Sequence, residues 1–310
     1  MRRFHALDIG SCSVKLLTVR CGAGRVRVEA MAVGELPAGV MQGHLLRERE
    51  VVAATIRRLV REVGGRRLPV VTALPGPAVM VRQLNARALP GESLEGLVVR
   101  EASAIVPDAA ERAVLDFQVL GPAQPDGTHD VLLVAARREL VESYTGAVRA
   151  AGLEPQLVDV ETFALERMYR LSHDPGGPNA PVALVHVGGR YTAISVLRGE
   201  RSAFVGDVPA ASSQHDGASL AEDVQRALGL FWPGPAGPLG GVVLSGGASS
   251  RAGLAVALEA RLGCPVTVAV PFRHLEVSRG VDRAQLDRLG PTLAVAAGLA
   301  LRASGASGAS

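Results

Sequence analysis

The chain has 310 residues, of which 48% are hydrophobic and 20% charged, with a formal net charge of +3. That is enough apolar sequence for two lobes with a sizeable core, built from Val, Leu and Ala because aromatics are only 3%. No stretch gathers about five or six like charges, which speaks against a nucleic-acid footprint, and no run reaches the roughly 18 apolar residues of a membrane span.

Cys12, Cys21 and Cys264 form no CxxC pair and no metal spacing, so they read as reduced thiols of a cytoplasmic protein. MRRFHALDIG lacks the apolar run of a signal peptide. Among the 33 basic residues Lys15 is the single lysine, inside ALDIGSCSVKLLTVR.

In chain order, HALDIG, VKLLTVR and RVRVEAMAV are predicted as three strands joined by a Gly/Ser turn and CGAG. A helix is expected from about Glu48 to Val63, with Val52, Ile56, Leu59, Val60 and Val63 on one face. PVVTALPG reads as a buried strand. From about Pro77 to Leu153 a small α+β module follows: strands AVMVRQLNARAL, AVLDFQVL and DVLLVAA, with helices GESLEGLVVREASAIV and RRELVESYTGAVRAAG. LEPQLVDVETFALERMYRL is a strand and a helix. The breaker-rich stretch 172–181 is the expected connector between lobes.

The opening pattern then returns. VALVHVGGRYTAISVLRGERSAFVGDVP reads as strand, Gly turn, strand, turn, strand, and lays Asp8 on His186, Gly10 on Gly188 and Ser11 on Gly189. Helix SLAEDVQRALGLFW, strand and Gly loop GVVLSGGASS, a helix, and the small-residue helix TLAVAAGLALR complete a lobe over 182–302. Gly298 in that last helix is expected to allow close helix packing. Residues 303–310 are expected to be disordered. The fold class is α/β, two duplicated lobes with an α+β insertion.

Three Gly/Ser loops follow apolar strands: Asp8 to Lys15, His186 to Thr192, and Leu244 to Ser250. They resemble the two phosphate loops and the adenosine loop of the actin/Hsp70/sugar-kinase superfamily. Glycines let backbone N–H groups approach phosphate oxygens, an Asp at the first strand end can hold Mg²⁺ through water, and a lysine one turn on places a compact cation there. Arginine's planar fork does not replace that point charge in a tight loop, which would explain why Lys15 persists; survival by chance is the plain alternative.

The order and spacing of ALDIGSCSVKLLTV, ALPGPAVMVRQLNARALP, REASAIVPD, VLDFQVLG, DVLLVAARRELVESYTGAVRAAGLEPQLVDVETFAL, LAEDVQRALGLF and VVLSGGASSRAGLAVALEARLGCPVTVAVPF resemble the PilM family, actin-like proteins of type IV pilus inner-membrane assembly, over about residues 4 to 300. The resemblance implies an actin-like ATPase fold with ATP and Mg²⁺ between the lobes. It maps nucleotide binding onto Asp8, Gly10, Ser11, Cys12, Ser13, Lys15, Gly188, Gly189, Thr192, Gly246, Gly247 and Ala248, with Asp8 also at the metal. It implies a PilN-like inner-membrane partner whose cytoplasmic tail docks near the inserted module, where Leu36, Val40, Val79 and Val81 are the candidate contacts. It also implies a peripheral place at the inner membrane through such partners.

Two departures bear on activity. His186 stands where actins carry Asp, and imidazole is a poor substitute for a carboxylate near hydrated Mg²⁺; it reads equally as a packed strand-end histidine. Only AASSQHDGA separates the strand ending at Pro209 from the next helix, so the second lobe looks shortened. Asp159 and Glu161 are the candidate water-orienting carboxylates, or plain helix N-terminal acids. Ser249 and Ser250 read as helix caps. At most a weak ATPase is expected. The alternatives are a nucleotide-free scaffold like the actin-like domains of type II secretion, or a small-molecule kinase.

Overall fold

The computed structural model describes residues 2–22, 25–89, 91–105, 109–172, 180–199, 201–209, 216–231 and 239–304. Most of the expected connector, the segment 210–215 on which the expected shortening rests, and all but the start of the expected tail lie outside the described residues.

β1 (Arg2–Ile9), β2 (Ser13–Gly22) and β3 (Arg25–Glu35) pair antiparallel, as the sequence predicts. A short hairpin follows, β4 (Met41–Gln42) and β5 (Leu45–Leu46), and then α1 (Arg49–Glu62). Val52, Ile56, Leu59 and Val60 of α1 are buried, the stripe expected of a helix laid on a sheet. β6 (Val70–Leu74) is buried at every residue and runs parallel to β1, as suits a central strand covered on both faces.

β7 (Val79–Arg87), α2 (Leu94–Ile105), α3 (Ala109–Arg112), β8 (Ala113–Val119) and β9 (Thr128–Arg137) form the small module. Its sheet has the order β7-β9-β8. Val98 and Ala102 of α2 pack on Val131 and Leu133 of β9. The alternate residues Val79, Val81, Val134 and Ala136 face the main core. α4 (Arg138–Ala150) lies by sequence within the expected module, yet Leu140, Tyr144, Ala147 and Val148 share a core with α1. β10 (Pro155–Val160) then joins β6 in parallel, and α5 (Glu161–Ser172) leaves from its end.

The second lobe repeats the plan. β11 (Val182–Val187), β12 (Tyr191–Arg198) and β13 (Arg201–Pro209) are antiparallel; α6 (Gly217–Phe231), β14 (Gly241–Ser245), α7 (Leu254–Leu262) and β15 (Val266–Val268) follow. The chain then returns to the first sheet with β16 (Glu276–Val277) and ends in α8 (Arg283–Leu289) and α9 (Ala294–Ala303). The strand orders are β10-β6-β1-β2-β3-β16 and β13-β12-β11-β14-β15. Read from opposite edges, the five shared strands match. The hairpins also match in register: Ile9 pairs with Val14 and Val187 with Thr192, so Asp8 and His186 are equivalent positions.

The layers alternate. α1 and α4 cover the outer face of the first sheet, and α6 and α7 that of the second. α5 and α9 lie between the sheets, where Ala164, Leu165 and Met168 meet Val295, Leu299 and strand residues of both lobes. A Cβ on Gly298 would collide with the Ala164 carbonyl, so the expected close helix packing is present.

Two expectations need correction. Leu36, Val40 and Val79 are core side chains, 8%, 1% and 8% exposed, and Val81 packs half-buried against the same core. The side chains of Leu36, Val40 and Val79 are thus turned into the core, while Val81 keeps part of its surface open. In β7 the strand alternation turns Val79 and Val81 toward the core, a choice of face that a sequence with apolar residues on both faces leaves open, and Leu36 and Val40, in the segment between β3 and β4, pack into the same core. Ser249 and Ser250 do not cap α7, whose N-cap is Gly253; the Ser249 hydroxyl donates to the Gly246 carbonyl instead.

Candidate functional site

The three Gly loops lie at the C-terminal ends of β1, β11 and β14, where crevices form in sheets of this kind. The first two turns close identically. Gly10 N–H donates to the Ser13 carbonyl at 3.0 Å, and Gly188 N–H to the Tyr191 carbonyl at 3.1 Å. In the third loop Gly246 adopts φ +95°, a left-handed conformation that favours glycine, and its N–H reaches the Pro291 carbonyl at 2.7 Å.

These loops enclose a cavity of about 270 Å³. The first lobe lines it with Asp8, Gly10, Ser11, Cys12, Ser13 and Lys15. The second contributes His186, Gly188, Gly189 and Tyr191, the third loop Gly247 and Ala248, and α5 contributes Glu161. Of the expected nucleotide residues, Thr192 and Gly246 do not line it. Thr192 is fully buried, and Gly246 is packed on the Val187 backbone.

Lys15 sits on β2 and not in the loop, directly across from Asp8. Its ammonium lies 3.1 Å from Asp8 Oδ2, and both side chains are 10% exposed. Among the described residues lining the cavity, Lys15 is the one cation. Asp8 Oδ2 is buried and accepts no hydrogen bond of good geometry from a described residue. A carboxylate that lines a phosphate-sized cavity and keeps an oxygen without a hydrogen-bond donor suits water-mediated Mg²⁺, which usually takes one or two carboxylates and completes its shell with phosphate and water. No group of three metal-ligating side chains exists among the described residues, so Asp8 and its neighbour Glu161 are the available oxygen donors.

The structure separates the two candidate carboxylates. Asp159 is turned away from the cavity: Oδ2 is 2.6 Å from Arg167 Nη2, and Oδ1 accepts from Val160 N–H at 2.8 Å. Asp159 is therefore corrected from a site candidate to an anchor for α5. Glu161 faces the cavity. Its Oε2 accepts from Tyr191 OH at 3.0 Å and from Gly76 N–H at 3.2 Å, while Oε1 lies 3.6 Å from His186 Nε2. Burial, and then the Asp8 charge, push this carboxyl up to about 7.

His186 is buried at the strand end, with Nδ1 2.9 Å from Ser245 Oγ. Burial pushes it down to about 4, against the pull of Asp8. It is thus a neutral group at neutral pH, opposite Asp8 and beside Glu161.

Sequence reasoning missed the contacts that join the lobes. Arg190 Nη1 donates to the Met41 carbonyl at 3.0 Å. Tyr191 stands edge-on to His44, ring centroids 5.1 Å apart. A Cβ on Gly189 would strike Cys12 Sγ, so the two phosphate-type loops touch. The available signal was the duplication itself: Tyr191 occupies the position of Ser13, an exchange of a small residue for one that spans the cleft.

The profile of the family described as type IV pilus assembly protein PilM matches residues 6–215 and 216–304. The chain belongs to this family. It is similar over 96% of its length, and 97% of the other chain's, to the solved PilM-PilN type IV pilus biogenesis complex, with 28% identity and a TM-score of 0.82. The cytoplasmic domain of EpsL, from the type II secretion system of Vibrio cholerae, matches with 13% identity and a TM-score of 0.51 over 97% and 95% of the two chains. A Bacteroides thetaiotaomicron protein with an actin-like ATPase fold and unknown function matches with 8% identity and a TM-score of 0.53 over 86% and 90%. The last two share the fold alone. The fold of this PilM family member is thus actin-like. No helix among its described residues is long and apolar enough to cross a membrane.

Proposed function

We propose that this PilM family member is an assembly platform on the cytoplasmic side of a type IV pilus inner-membrane complex. It binds the cytoplasmic tail of a PilN-like membrane protein. The observation that carries this reading is the full-length match to the PilM-PilN complex, at a TM-score of 0.82. A tagged chain should retain its PilN-like protein from detergent-solubilised membranes and lose it when that protein's tail is deleted; retention without the tail would sink the reading.

The cleft is proposed to take ATP, with Lys15 on the phosphates and Asp8 holding Mg²⁺ through water. Mg²⁺ would neutralise phosphate charge there. This chain's own residues would bind and orient: loop N–H groups not spent on the turn bonds would be the donors to phosphate, and Tyr191 and Gly76 fix Glu161. Nucleotide acts as a structural ligand that biases lobe closure. Hydrolysis is slow because neutral His186 replaces the second carboxylate.

A second reading, the nucleotide-free scaffold, draws on two observations. The cavity of about 270 Å³ lies just below the roughly 300–1,000 Å³ of ligand pockets, and Gly189 already touches Cys12. Nucleotide entry therefore requires the lobes to part, and a chain that never parts them is a scaffold.

A further inference from the structure

The end of the first sheet opposite the cleft carries a concentration of unpaired positive charge that no run of the sequence contains. Asp8 marks the cleft end of β1, and Arg2 stands at the other end of the same strand. β6 runs parallel to β1 with Val70 beside His5, so the loop entering β6, with Arg66 and Arg67, reaches the same end. A hydrogen bond of 2.9 Å between His5 Nε2 and the Arg66 carbonyl ties that loop down. Arg57 Nη1 donates to the Ala150 carbonyl at 2.7 Å, which brings the C-terminal turn of α1, with Arg61, and that of α4, with Arg149, to this end.

Arg2, Arg61, Arg66 and Arg67 are exposed, and none makes a side-chain hydrogen bond or ion pair with a described residue. The nearby acids are largely committed. Glu29 is held by Arg3 at 2.7 Å and also by Arg20. Glu62 is held by Arg58 at 2.9 Å and Glu276 by Arg27 at 2.7 Å, and Glu154 is the further carboxylate near this end among the described residues. Other surface arginines are spent on carboxylates, as Arg27 is on Glu276 at this same end and Arg283 is on Asp287 elsewhere.

We propose that this end of the first lobe is a docking surface for the phosphate headgroups of an anionic membrane. Guanidinium groups match phosphate oxygens in shape and charge. Each basic side chain brought to an anionic leaflet raises partition on the order of fivefold, so four act together on the order of several hundredfold. That is reversible binding, and it becomes effective with a second attachment. The inference rests on the reading that the partner is a membrane protein. The partner's tail tethers the chain, and the basic end sets its orientation, with the cleft facing away from the lipid. Nucleic acid is disfavoured because no Phe or Tyr with a described side chain is exposed, whereas single strands are held largely by stacking on such rings.

The test is co-sedimentation of the full chain with vesicles of phosphatidylcholine alone, or of equal parts phosphatidylcholine and phosphatidylglycerol. The parent should bind the anionic vesicles and not the neutral ones, and release as salt rises and screens exposed charge beyond about 10 Å. Arg61→Glu with Arg66→Glu and Arg67→Glu should weaken binding by about tenfold or more. The same charge change at Arg82, Arg226 and Arg288, which lie outside the first sheet, should leave binding as in the parent. Circular dichroism checks the fold of both variants. Should the first melt early, Arg66→Ser with Arg67→Ser, two loop side chains without described partners, is read in its place. No binding to anionic vesicles, equal loss in both variants, or undiminished binding by the first would each overturn the proposal. Binding to a homopolymeric RNA tighter than to the vesicles, and lost in the first variant, would reassign the surface to nucleic acid. The vesicles contain neither tail nor nucleotide, so failure here leaves the platform reading standing.

Discussion

Lys15 is the residue on which the proposed nucleotide binding turns. Sequence alone marked it as the single lysine among 33 basic residues, at the seam of a Gly/Ser loop and the predicted strand VKLLTVR. The structure places it on β2, buried and 3.1 Å from Asp8. A buried ammonium paired with one carboxylate, at the edge of a cavity with no other cation among its described lining residues, is the group the proposal places on phosphate. Lys15→Met should weaken ATP binding by about 1.5–3 kcal/mol, the range for a hydrogen bond to a charged group. Calorimetric titration of ATP into both proteins reads this directly, and equal affinities would return Lys15 to a structural partner of Asp8. Glu161 gives a second test. Its carboxyl titrates at about 7 in the folded chain against an ordinary 4.5, so the folded state keeps a proton that the unfolded state releases. Stability from this group is present below about 4.5 and lost as pH rises through about 7. His186, moved from 6.5 to about 4, works oppositely and gains stability as pH rises over that window. Glu161→Gln removes only the first effect. Its melting temperature should climb relative to the parent's between about pH 5 and pH 8, by up to about 3 kcal/mol in stability. A difference that does not change with pH would show that Glu161 is not the buried titrating group.

At the scale of elements, hydrophobic period and turn chemistry made most of the fold legible. α1 was expected to within a residue at each end because its apolar stripe has one period and the glycines after it stop it. The duplicated hairpins were legible because strand, Gly turn and strand recur with the same spacing. What sequence could not give was which face of β7 turns inward. Val79 and Val81 alternate correctly for either face, and the docking of the small module decides between them. Val79→Asp would bury an unpaired carboxylate in the core shared with α4, so it should unfold or severely destabilise the chain, by about 3 kcal/mol or more. Circular dichroism and urea melts test this, and a stable folded variant would put Val79 on a surface after all. Gly298 was read correctly because a lone glycine in an otherwise ideal Ala/Leu helix has a cost that packing must offset. Gly298→Val would drive a side chain into the Ala164 carbonyl and separate α5 from α9. The expected loss is about 1–3 kcal/mol or more, and urea denaturation at an unchanged midpoint would contradict the close packing.

At the scale of the molecule, the two lobes and the three loops were visible in sequence, but the way they close on one another was not. Arg190, Tyr191 and Gly189 bring the second lobe onto Met41, His44 and Cys12, contacts between segments about 150 residues apart that no periodicity encodes. The same holds for the basic end of the first lobe, assembled from three separate segments. A closed, small cleft with neutral His186 in place of a carboxylate should turn ATP over close to background. A rate above about 1 s⁻¹, the low end of ordinary enzymes, in a clean preparation would revive a catalytic reading. The most direct test of the platform itself is calorimetric titration of a synthetic peptide, the cytoplasmic tail of the cell's PilN-like protein, into the full chain. Saturable binding at one peptide per chain, with a negative heat-capacity change as apolar side chains leave water, is the predicted result. No heat of binding at peptide concentrations up to about 1 mM, the weak end of specific association, would contradict it.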